Sequence, residues 1–135
     1  MFALLSALFA ALTAIFAKLG IKNVNTDLAT AIRTVIVGIL TWSIVLFGGN
    51  MTKLSGLTKQ NWIFLVLSGI TTGLSWIFYF KALQVGKVAQ VASVDKLSVA
   101  LAIILSVLFL HEPLTMKTAI GALLIISGTI VLVLE

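Results

Sequence analysis

The sequence predicts an all-α integral membrane protein of five transmembrane helices, forming a single domain over residues 1–135. Two observations carry this. Of the residues, 61% are hydrophobic and only 10% are charged, whereas about a quarter are charged in an ordinary soluble domain. The apolar residues also gather into five runs, each near the roughly 20 residues that cross the hydrocarbon of a bilayer. Short polar connectors hold most of the charge, and no soluble domain or long linker intervenes.

The first run, Phe2 to Gly20, is read as a spanning helix rather than a signal peptide. It lacks a basic leader and is long, and its small residues Ala3, Ala7 and Ala11, or Ser6, Ala10 and Ala14, suit close helix packing. After "KNVNTD" the second run covers Leu28 to Phe47 and carries Arg33 near its start. "GGNMTKLSGLTKQN" leads to the third, Trp62 to Leu83, where Gly69 and Gly73 make a GxxxG spacing. Thr72, Trp76, Tyr79 and Phe80 follow along its turns, aromatics able to line a pocket for amphipathic or cationic solutes. For Tyr79 and Phe80, beside Lys81, an aromatic belt at the membrane surface is the plainer reading. Trp76 is deeper. Trp42 and Trp62 are read as interfacial or lipid-facing.

"LQVGKV" opens the fourth run, Val88 to Leu110, and "HEPLTMK" closes it. Pro113 is expected to end this helix, and Thr115 or Thr118 to cap the fifth, Thr118 to Leu134. Gly121 and Gly128 lie seven apart and offer an assembly seam.

The fourth run contains the anomaly. "SVDKLS" sets Asp95 and Lys96 side by side in apolar sequence. A helix starting at Leu97 would have about 14 residues and span about 21 Å, too short for a hydrocarbon core of about 30 Å. Starting at Val88 gives about 34 Å and puts Asp95 about 10 Å along it. Lysine can snorkel from that depth, but the short aspartate cannot. Ser98, Ala102 and Ser106 follow Asp95 on one helical face, whereas Lys96 points about a quarter-turn away, so no ion pair between the two neighbours is expected. Arg33, entering from the same side of the bilayer, is the expected counter-charge. A pair that merely holds two helices together is the plain alternative.

Other chemistries find little support. The net charge of +5 comes from lysines and one arginine scattered singly, without the clustered face that nucleic acid needs. There is no cysteine. The single histidine, His111, stands beside Glu112 in a connector, so no metal cluster, catalytic set or cofactor site is expected. The basic residues also fail to fix an orientation. Lys18, Lys22, Lys81 and Lys87 fall on one side and Lys53, Lys59 and Lys117 on the other, a bias weak enough to allow insertion both ways.

Three stretches carry a resemblance: "ATAIRTVIVGILTW", "SWIFYFKALQVGKVAQVASVDKLSVALAIILSVLFLHEPLT" and "AIGALLIISGTIVLV". Together they resemble the EamA-type module of the drug/metabolite transporter superfamily, most specifically from "KAL" to "HEPLT" and in "IGALLIISG". The chain departs from the pattern at His111, where many members have glycine. The resemblance implies one half of an inverted-repeat transporter, since longer members carry two five-helix modules of opposite topology around a central cavity. It also implies that the first, third and fourth helices face that cavity, which adds Lys18 to Trp76 and Asp95.

The expected function is transport of a small metabolite or amphipathic compound by alternating access, coupled to protons, in the cell membrane of a prokaryote. The expected assembly is an antiparallel homodimer or a heterodimer with another half-length module. A non-transport accessory subunit and a passive pore are the alternatives. Candidate site residues are Asp95, Arg33, Lys96, Lys18, Trp76, Tyr79 and Ser98.

Overall fold

The computed structural model describes residues 1–134; Glu135, the end of the expected domain, lies outside the described residues. Among these the chain is helical throughout its regular structure, with no strand. The helices are α1 (Phe2–Gly20), α2 (Thr26–Phe47), α3 (Lys59–Val85), α4 (Val88–Asp95), α5 (Leu97–Leu110) and α6 (Met116–Val133). A 3-10 segment, Asn50–Gly56, lies between α2 and α3. Taking α4 and α5 together, five spans are long and apolar enough to cross a membrane. The chain is a multi-pass membrane protein.

Local chemistry sets the helix ends. The Asn25 side chain accepts hydrogen bonds from the backbone N–H groups of Asp27 (2.9 Å) and Leu28 (3.1 Å), capping α2. Asp27 therefore belongs to the first helical turn, where an anion suits the helix dipole, rather than to the connector. The α3 helix has 27 residues, about 40 Å, so its ends reach past the hydrocarbon. Of the two candidate caps for the last helix, Thr115 is the one used, its hydroxyl accepting from the Thr118 N–H at 3.2 Å.

The end of α5 corrects an expectation. His111, at φ 54° and ψ 32°, takes the left-handed conformation that stops the helix, and the Glu112 N–H closes back on the Ser106 carbonyl at 3.3 Å. Pro113 only follows a stop already made. Glycine is the usual residue at such a position, because any Cβ there is crowded.

Contacts divide the chain into two compact units, Leu19–Gln84 and the remainder. In the Leu19–Gln84 unit, Ile21, Thr26, Thr30, Phe80 and Leu83 are buried, all near the start of α2 and the end of α3. Three polar links tie those ends together. Lys81 pairs with Asp27 at 3.1 Å, Gln84 donates to the Val24 carbonyl at 2.9 Å, and Arg33 reaches the aromatic face of α3 described below. In the other unit α6 packs against both α4 and α5, and Ala14, Ala100 and Thr129 are buried.

Only about 6% of each span is buried within the chain, so its apolar faces are solvated by lipid or covered by another protein. Hydroxyls within the spans turn back on their own helices. Thr30, Thr34, Ser43, Thr72, Ser93 and Ser127 each donate to the carbonyl four residues earlier. No buried side-chain nitrogen or oxygen among the described residues lacks a partner.

Candidate functional site

The fourth span is long enough to cross the membrane, yet its α-helical bonding lapses at Lys96. The Lys96 N–H donates to the Ser93 carbonyl at 3.1 Å, and the Val99 N–H donates to the Lys96 carbonyl at 3.0 Å. These three-residue closures make a tight 3-10 turn between α4 and α5. Neither glycine nor proline causes it. Ser93 and Asp95 are residues whose side chains compete with helical backbone bonding, and the Ser93 hydroxyl does bond the Ala89 carbonyl at 2.6 Å.

A neighbouring helix supports the turn. The Thr129 hydroxyl of α6 lies within bonding distance of the Ser93 carbonyl (3.1 Å) and of the Ile125 carbonyl in its own helix (2.8 Å). Thr129 is 5% exposed, so water does not compete for this contact. In a membrane, interrupted backbone persists only where other protein groups or a wet cavity satisfy it.

At the turn the two charges meet. Lys96 Nζ lies 3.5 Å from Asp95 Oδ2, which overturns the expectation of no ion pair between these neighbours. Neighbouring helical side chains do diverge, and the contact forms because the long, flexible Lys96 stem reaches back to the short Asp95 carboxylate. The side chains are 39% (Asp95) and 58% (Lys96) exposed, so both can exchange partners with a solute. Ser98 follows one turn on and is exposed.

Lys18, in the last turn of α1, donates to the Gly86 carbonyl just before α4 at 2.8 Å. It ties the end of the first span to the beginning of the fourth.

The Leu19–Gln84 unit holds the second cluster. The Arg33 guanidinium carbon lies 4.3 Å from the Trp76 ring centroid and 5.3 Å from that of Phe80. Trp76 and Phe80 are four apart on α3 and so share a face, which makes a two-ring platform for one cation. Tyr79 packs edge-on to Phe80, with centroids 6.4 Å apart. Phe80 is 2% exposed, so the belt reading fails for it: adjacency to Lys81 in sequence says nothing about which face a helical residue occupies. Arg33, the expected counter-charge of Asp95, lies in the Leu19–Gln84 unit and Asp95 in the other; within its own unit Arg33 meets the Trp76 ring and Asp95 meets Lys96.

Sequence reasoning passed over Thr129, Asp27 and the role of Phe80. A buried threonine in an apolar run carries no distinguishing mark. Asp27 did carry one, because Asn25 before an apolar run is a helix-start pattern.

The profile described as the EamA-like transporter family matches residues 1–134. A Sinorhizobium protein named "Uncharacterized transporter in cobO 3'region" is 47% identical over 130 residues, 96% of this chain and 92% of that protein. The Bacillus subtilis (strain 168) protein named "Uncharacterized transporter YvbV" is 36% identical over 64 residues, 47% of this chain and 21% of that protein. The Sinorhizobium protein is thus close to this chain in length, and the Bacillus protein more than twice as long. No solved structure matches.

Proposed function

Because the chain belongs to the EamA-like transporter family, we propose that it moves a small metabolite or amphipathic compound across a bacterial plasma membrane by alternating access, as one module of a two-module carrier. One observation supports this above others: the fourth span tightens into a 3-10 turn at Asp95–Lys96, bringing a carboxylate and an ammonium together about a third of the way along it. Carriers build substrate and ion sites where spanning helices are interrupted near the midplane. Asp95, Lys96 and Ser98 form the proposed polar contact, and Trp76, Tyr79 and Arg33 form a proposed aromatic surface in the Leu19–Gln84 unit. Lys18 holds the entrance of the broken span.

Protons enter through Asp95. As a carboxylate it holds Lys96; once protonated it releases the lysine, and the pair reopens for an incoming solute. The partner module is a second copy in the opposite orientation, a reading that rests on five spans and nearly balanced basic connectors. Single cysteines in the "NMTKL" connector should then react from both sides of the membrane. Labelling from one side alone would replace the homodimer by a heterodimer with a separate module.

The test of transport is saturable counterflow in proteoliposomes, screened across small metabolites with and without a pH gradient. Asp95→Asn keeps size and hydrogen-bonding capacity but cannot titrate. It should abolish proton-driven accumulation while exchange and assembly persist. Accumulation equal to that of the unmodified protein would remove Asp95 from the coupling step, and failure of all saturable flux would favour an accessory subunit or a passive pore.

A further inference from the structure

We propose that a groove between the end of α2 and the segment that follows it binds one acyl chain of an anionic phospholipid from the surrounding bilayer, with Lys53 against the phosphate. The groove arises from a reversal of the chain. The Gly48 N–H closes on the Ile44 carbonyl at 2.9 Å, and a Cβ on Gly48 would meet that oxygen at 2.8 Å. Gly49 then takes φ 65°, which glycine adopts without strain. These two residues turn Asn50–Gly56 back against α2.

The resulting cavity measures about 290 Å³. Trp42 and Val45 of α2 and Met51, Leu54 and Leu57 of the returning segment line it, and Lys53 is the charged residue among its walls. Trp42, Met51 and Leu54 remain 52%, 43% and 40% exposed, so the groove is open to its surroundings. It begins in the last turns of a membrane span and continues past Phe47, the span's end, so it lies where hydrocarbon gives way to headgroups. An apolar trough at that level, with a cation beside it, matches an acyl chain carrying an anionic head.

Charge complementarity selects the anionic class. From Leu28 to Val94 there is no aspartate or glutamate, and the charges nearest the groove in sequence are Lys53 and Lys59. A zwitterionic headgroup presents an ammonium beside its phosphate and gains less from such a field. The inference does not depend on the transported solute.

Native mass spectrometry of the intact detergent-purified protein, titrated with phosphatidylglycerol and separately with phosphatidylcholine, tests it. Phosphatidylglycerol should bind more tightly, and Lys53→Gln should weaken it about fivefold, the equivalent of ~1 kcal/mol for one basic residue at an anionic surface, leaving phosphatidylcholine unchanged. Phosphatidylglycerol with a photoactivatable acyl chain should crosslink to peptides within residues 41–57. Lys53→Gln lies on an exposed segment, and circular dichroism verifies that it folds. Equal affinity of the two lipids, an unchanged affinity for phosphatidylglycerol in the variant, or acyl crosslinks confined to other spans would each overturn the proposal.

Discussion

Replacing Thr129 by valine keeps the shape of the side chain and removes one hydroxyl. That hydroxyl spans from α6 to the Ser93 carbonyl at 3.1 Å, beside the break in the fourth span, while also contacting Ile125 in its own helix at 2.8 Å. Intramolecular hydrogen bonds contribute about 0.5–1.5 kcal/mol net, and interhelical ones in membranes average about 0.6 with a maximum near 1.7. Thr129 is buried, so no water replaces the lost donor, and the cost should fall near 1 kcal/mol, about a fivefold shift in the folding equilibrium. Thr71→Val is the control. Its hydroxyl is exposed and bonds only carbonyls of α3, Leu67 at 3.1 Å and Ser68 at 2.9 Å, so its loss breaks nothing between helices. The difference between the two variants, measured by circular dichroism during reversible unfolding in mixed micelles, isolates the bond to Ser93. Hydrogen exchange at the Lys96 amide should accelerate in Thr129→Val and not in Thr71→Val. A difference below ~0.3 kcal/mol, within ordinary additivity error, together with unchanged exchange at Lys96, would refute the view that α6 holds the break.

His111→Gly removes a left-handed penalty of about 1–2 kcal/mol and adds about 0.4–1 of unfolded-state freedom, so it should raise stability by roughly 0.5–1 kcal/mol in the same unfolding assay. A double-mutant cycle of Arg33→Gln and Trp76→Leu should return a coupling of about 1–2 kcal/mol, the range of a partly desolvated cation–π contact; zero coupling would mean the guanidinium gains nothing from the ring. Asp27→Asn should cost less than about 1 kcal/mol, because the Asp27–Lys81 pair is half-exposed, and the effect should shrink when unfolding is repeated at high salt.

Most of the architecture was legible because lipid imposes a length and an apolar composition that one sequence displays directly. The first span agrees end to end, from Phe2 to Gly20, and the fourth agrees in its limits, Val88 to Leu110. The second and third begin earlier than hydropathy suggests because polar residues such as Asp27 and Lys59 are taken into first turns. The break at Lys96 was hidden for a physical reason. Sequence reading expects interruptions at glycine or proline, whereas this one depends on Ser93, Asp95 and a threonine 36 residues away. The contact between Asp95 and Lys96 was missed because helical side-chain direction was weighed and the reach of the lysine stem was not. Phe80 was misplaced through its sequence neighbour Lys81, although its helical neighbour Trp76 is the one that shares its cation.

The hydroxyls folded back along the spans have a consequence for how such a surface meets a solute. A threonine whose proton rests on the carbonyl four residues earlier, as in Thr34 or Thr72, presents mainly its methyl group to lipid. Rotation about one bond, on the picosecond-to-nanosecond scale, turns the same proton outward. An acceptor that arrives beside it exchanges one hydrogen bond for another, and the abandoned carbonyl keeps its helical N–H. Such a wall is oily at rest and becomes hydrogen-bonding only while a polar guest is against it. Each such swap leaves no polar group stranded in hydrocarbon.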